Sequence, residues 1–78
     1  MRKLKIVEKK LKAYLGYAYL DKDVIEIDPR QKSKQYLDTL IHECLHILFP
    51  EESETSVADK AKTITDCIWR KNYRRIEK

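Results

Sequence analysis

The sequence predicts an α+β fold: a small antiparallel β-sheet of about three strands, followed by two α-helices. Three observations lead there. Seventy-eight residues suffice for a single domain spanning 1–78 and not for two. The first third of the chain interleaves aromatic and β-branched residues with polar ones, whereas the second half repeats apolar residues at three- and four-residue intervals. With one glycine and two prolines, the chain is wired through short connections.

The N-terminal "KLKIVEKKLK" fits two periods. Leu4 and Ile6 alternate with lysines as in a strand, and Leu4, Val7, Leu11 and Leu15 also match a helix. A strand over 3–8 is preferred, because the next segment reads as a hairpin and a two-stranded hairpin alone is barely stable. That segment, "GYAYLDKDVIEID", places strands near 16–20 and 24–28 on either side of an Asp21-Lys22-Asp23 turn. Asp28-Pro29 then punctuates. A helix is expected over 33–49, with an apolar stripe of Leu37, Leu40, Ile41, Cys44, Leu45 and Leu48, and Pro50 stops it. Ser53 is the expected N-cap of a second helix that fades near Asn72. Its stripe is Val57, Ala58, Ala61, Ile64, Thr65 and Ile68, with Trp69 beside it. Both helices are expected to pack on the sheet.

Seventeen basic and 13 acidic residues give a net charge of +4. Basic residues gather at the two ends: Arg2, Lys3, Lys5, Lys9, Lys10 and Lys12, then Arg70, Lys71, Arg74, Arg75 and Lys78. A solvated surface is the favoured reading of these ends, and a nucleic-acid partner the less favoured one, since acidic residues are interspersed and no nucleic-acid motif stands out. No apolar run reaches the roughly 18 residues that a membrane span needs. The N-terminus carries no apolar core of a secretory signal, so a cytoplasmic, reducing compartment is expected. Cys44 and Cys67 are accordingly expected as two buried thiols, not a disulfide.

The chain's only two histidines lie in "TLIHECLHILFP", as His42-Glu43-Cys44-Leu45-His46. On a helix, residues four apart stack on one side, so two imidazoles can face one zinc ion. Glu43 lies about 100° round from His42, placed to serve as a general base beside the metal without ligating it. Both histidines fall just past the edge of the apolar stripe, where a second element could close over them. A metal would also help to stabilise so small a core.

A catalytic zinc keeps three protein ligands and an open position. No third histidine exists, and the metzincin continuation is absent, because Phe49 and Glu52 stand where glycine and histidine would be required. The third ligand is therefore expected to be a carboxylate. Glu54 precedes Val57, Ala58 and Ala61 by three, four and seven residues, which places it on the inward stripe of the second helix, where an unpaired carboxylate would be costly. Glu52, in the connection, is the alternative; Asp59 and Asp66 lie off the stripe.

"DTLIHECLHILFP" followed by "SETSVADKAKTITDCIWRKNYRRI" resembles small phage-type zinc metallopeptidases of the zincin group, closest to the gluzincin branch. The preceding "GYAYLDKDVIEIDPR" fits the strand-rich piece before the active-site helix, so the resemblance runs from about Leu15 to Ile76. It implies a minimal zincin-like hydrolase with His42, His46 and Glu54 as zinc ligands and Glu43 as general base. It also implies a peptide or protein substrate lying along a sheet edge, expected at the strand near 24–27. Tyr73, Arg74 and Arg75, or Tyr17 or Tyr19, are candidates for steadying the oxyanion. The competing reading is a binding module with a structural zinc, contacting nucleic acid or a protein partner without catalysis. A related hybrid is a protease acting at DNA through Arg70, Arg74 and Arg75, and the third reading is a metal-free structural protein.

Overall fold

The computed structural model describes residues 1–76 and contains, in chain order, β1 (Lys5–Glu8), β2 (Gly16–Tyr19), β3 (Val24–Ile27), α1 (Ser33–Leu48) and α2 (Glu54–Arg70). The fold class is the expected α+β arrangement of three strands and then two helices. Lys78, one of the basic residues at the C-terminal end, lies outside the described residues.

The sheet order is β1-β3-β2, with β2 antiparallel to β3 and β1 parallel to it, so the sheet is mixed and not the wholly antiparallel one expected. The parallel pair follows from the length of the β1–β2 link. Residues 9–15 leave β1 opposite Ile27 and enter β2 opposite the same residue, arching past the end of β3. Asp28 fastens the arch. Its backbone N–H donates to Leu15 O (2.9 Å), and its carboxylate accepts from Leu11 N (3.1 Å). The central strand is therefore β3 and not an edge. Composition agrees: Val24, Ile25 and Ile27 suit a strand with neighbours on both sides, while Lys5 and Glu8 blunt an edge.

Side chains alternate across the sheet. Ile25 and Ile27 are fully buried against α1, which contributes Tyr36 and Ile47; Leu4, Ala18, Leu40 and Cys44 pack around them. Positions 36, 40, 44 and 47 repeat at helical spacing, so they define the face of α1 turned to the sheet. Each fully buried isoleucine contributes about 1.5–3 kcal/mol.

α2 packs on α1 alone and makes no contact with the sheet, so the layers run sheet, α1, α2. The expectation that both helices lie on the sheet does not hold: three four-residue strands offer α1 a bed but leave no room beside it. Val57, Ala61 and Thr65 are the buried residues of α2, while Ile64 sits at an exposed margin. Ser53 caps α2 by accepting from Ser56 N at 3.1 Å. At the other end Asn72 takes φ 65°, with Asn72 N donating to Trp69 O and Tyr73 N to Ile68 O, a left-handed helix stop. Both cysteines are free thiols: Cys44 is half-buried, and Cys67 is exposed rather than buried, since position 67 falls outside the 57-61-65 stripe.

Candidate metal centre

α1 is sandwiched between the sheet and α2, and its third side forms a rim between β2 and the start of α2. His42 and His46 occupy this rim, one turn apart. Their Nε2 atoms are 3.2 Å apart, and their rings lie 4.8 Å centre to centre at 66°. Glu54, the first residue of α2, reaches across with both oxygens: Oε1 is 2.7 Å from His42 Nε2, and Oε2 is 2.8 Å from His46 Nε2. The candidate donor atoms of the three residues all fall within 4.8 Å of one another. The histidine side chains are 20% and 23% exposed, and that of Glu54 is 71% exposed, so the trio opens to solvent.

Glu52 takes a different course. Its carboxylate meets Lys60 Nζ at 2.8 Å, which holds its pKa below the usual value and away from the imidazoles. Asp66 is likewise occupied by Lys34. Of the two glutamates, Glu54 is the one whose carboxylate meets the imidazoles, but it sits at an open rim, 71% exposed, and is not the inward, desolvated charge expected.

Glu43 faces the other flank of the rim, toward β2. It borders the same cleft of about 460 Å³ as His42, His46 and Glu54, with Tyr14, Gly16, Tyr17, Ala18 and Leu20 forming the opposite wall. Burial raises the pKa of Glu43; the nearby His42 and His46 oppose that rise, and the Glu54 carboxylate adds to it. The close approach of β2 depends on the chain's only glycine. A Cβ at Gly16 would stand 2.7 Å from Thr39 Cγ2 and 3.1 Å from Glu43 Cγ. Any side chain there would press on the residue next to the histidines.

The wall of the cleft is the outer edge of β2, because β3 is enclosed on both sides. Val24–Ile27, where a substrate edge was expected, is therefore not a sheet edge; the edge that borders the cleft is Gly16–Tyr19. Of the proposed oxyanion groups, Tyr17 borders the cleft. Tyr19 does not, since its hydroxyl donates to Glu26 on the far face of the sheet (3.1 Å). Tyr73, Arg74 and Arg75 lie beyond the C-terminal end of α2, roughly 25 Å along the helix axis from Glu54. Arg74 stacks on Trp69 and Arg75 on Tyr36. Tyr14 and Leu20 are wall residues that the sequence reading missed. Their position just outside a strand that carries the motif's neighbouring glycine was the available signal.

The donor set fits a small divalent ion. Four-coordinate zinc at 2.0–2.1 Å from each ligand separates its donors by about 3.3 Å, close to the observed imidazole pair. The carboxylate lies somewhat nearer, at a distance suited to a charge-assisted contact. Among the described residues these three form the one group of histidine, cysteine and acidic side chains gathered closely enough to hold a metal. No protein-family model, curated protein or solved structure matches the chain.

Proposed function

We propose that the chain is a zinc-dependent peptidase, in which His42, His46 and Glu54 hold the metal and Glu43 is the general base. The observation that carries this reading is the convergence of two imidazole nitrogens and a carboxylate at an open cleft that a second carboxylate borders. Two nitrogens and an oxygen suit zinc, and the solvent-facing side leaves room for water and substrate. When bound, zinc supplies Lewis acidity and lowers the pKa of water from about 15.7 toward about 7.

The remaining work falls to the chain. Glu43, partly buried on the flank of the cleft beside the donor set, would accept the proton of the attacking water. The same carboxyl then returns the proton to the departing amine nitrogen. An extended peptide aligns along the outer edge of β2, whose backbone groups on that side pair with no described strand. Tyr14 and Leu20, 60% and 49% exposed, offer apolar surface to its side chains. Backbone pairing with few side-chain pockets favours unfolded substrates of many sequences.

The test is cleavage of a denatured protein by purified, zinc-loaded protein. Glu43→Gln retains the metal and loses activity about 100- to 10,000-fold. An unchanged rate in that variant rejects the assignment. One observation favours a second reading, a structural metal: Glu54 is the first residue of α2 and ties that helix to α1. Chelation that unfolds the protein, together with a Glu43→Gln variant indistinguishable from wild type in every assay, would select it.

A further inference from the structure

The helices cover one face of the sheet; among the described residues no element covers the other. The strand registers place Lys5, Val24 and Tyr19 in one row across that open face, and Val7, Glu26 and Tyr17 in the next. Tyr14 extends the tyrosines into a ladder. Tyr14 and Tyr17 are 5.6 Å apart between ring centres, and Tyr17 and Tyr19 are 4.9 Å apart, edge to face. Tyr14 and Tyr17 are 60% and 44% exposed. Cations flank the ladder: Lys22 Nζ lies 5.6 Å from the Tyr19 ring, Lys5 stands in β1 at the opposite edge, and Lys9, just past the end of β1, reaches the Glu26 carboxylate at 3.5 Å.

The charge excess belongs to this layer. Residues 1–27 hold seven lysines and arginines against four acids, and so supply most of the net +4. The acids are mostly spoken for. Glu26 is shared by Lys9 and the Tyr19 hydroxyl, Asp23 is paired with Arg2, and Glu8 turns to the helix side, where it meets the Tyr36 hydroxyl.

We propose that this open face binds single-stranded nucleic acid, with bases stacked on Tyr14 and Tyr17 and phosphates following Lys5, Lys9 and Lys22. Exposed rings in series meet the π faces of unpaired bases, and flanking lysines meet a polyanion. A protein partner would need an apolar centre, and here lysines and a glutamate surround the rings. The contacts go to base faces and phosphates, so DNA and RNA strands bind alike, and a duplex, whose bases are already stacked, binds poorly. Tyr14 and Tyr17 stand at the margin that this face shares with the cleft, but nothing in the proposal requires the metal.

Fluorescence anisotropy of the full chain with labelled 20-nucleotide oligo(dT), oligo(U) and a 20-base-pair duplex tests it. Both single strands are expected to bind within a few-fold of each other, and the duplex at least tenfold more weakly. Tyr17→Ala and Tyr14→Ala each weaken binding about 5- to 150-fold, the loss of one stacked base. Tyr17→Phe, which keeps the ring, retains affinity. Replacing Lys5, Lys9 and Lys22 with glutamine reduces the slope of log affinity against log salt by about 2. These lysines are surface residues, so that variant reports binding even if a tyrosine truncation fails to fold. Absence of single-strand binding at 50 mM salt overturns the proposal. So does duplex binding of equal strength, or affinity unchanged in the lysine variant.

Discussion

Two polar clusters lie within one small domain, and they are built on opposite plans. At the end of β3, Asp28 is 4% exposed and its carboxylate is saturated. One oxygen accepts from Arg30 N and Nε (3.0 and 2.9 Å), the other from Leu11 N and Arg30 Nη2 (3.1 and 2.6 Å). Beside it the Gln31 amide donates to Leu15 O and Asp28 O, and its oxygen accepts from the Thr39 hydroxyl at 2.7 Å. Every group finds its complement in the chain. On the rim of α1, by contrast, His42, His46 and Glu54 converge on one another and on solvent, with the two Nε2 atoms 3.2 Å apart and each 2.7–2.8 Å from a Glu54 oxygen. Such a set can hold a cation, and it is open to solvent. The first cluster is scaffold, closing the loop that arches past the end of β3; the second is the rim proposed to hold a metal.

That contrast can be broken first at the scaffold. Asp28→Ala strands the Leu11 N–H and the Arg30 donors, and lowers the melting temperature by roughly 10 °C, the largest loss of stability expected for a single polar truncation here. The hydrogen bonds from Arg30 and Leu11 hold the Asp28 carboxyl well below its ordinary value of 3.8. Its contribution is therefore complete above that value and fades as pH falls below it. Melting curves from pH 7 to pH 2 should show the gap between wild type and Asp28→Asn narrowing below about pH 4. A gap independent of pH would mean that the carboxylate charge is not what fastens the loop.

The join between the Asp28 cluster and the rim is Gly16. Gly16→Ala forces Thr39 and Glu43 aside and costs about 1–3 kcal/mol of stability, measured by urea denaturation. Cleavage should fall further than stability accounts for, while zinc content stays at one per chain. Wild-type cleavage in this variant would show that the position of Glu43 does not matter. The smallest expected effect is that of Ser53→Ala. It removes the cap of α2 and costs about 1 kcal/mol. Because Glu54 is the next residue, zinc affinity should drop slightly, and by less than in any variant that removes a donor.

The rim was more legible in the sequence than its surroundings. His42, Glu43 and His46 are fixed to one another by helical period alone, and Glu54, singled out by the phase of the next helix, meets them from its first turn at an exposed and not an inward position. Both inferences need only the local chain. Strand order is a different kind of fact. The alternation in 3–8 and 24–28 says that strands exist, but the neighbours of β3 depend on where residues 9–15 cross, and the crossing is set by Asp28. Lysines in β1 and the β-branched run in β3 hinted at edge and centre without fixing them. The stacking of α2 on α1 and the distant placement of Tyr73, Arg74 and Arg75 are tertiary consequences of narrow strands and a straight 17-residue helix. No local pattern encodes them.

Whether His42, His46 and Glu54 hold a metal is decided by calorimetric titration of the metal-free protein with zinc, with wild type, His42→Ala, His46→Ala and Glu43→Gln compared under one buffer. Wild type and Glu43→Gln should each bind one zinc per chain, and each histidine variant should bind it at least about 100-fold more weakly. Wild-type protein that takes up no zinc, or histidine variants that bind it as tightly as wild type, would contradict the assignment.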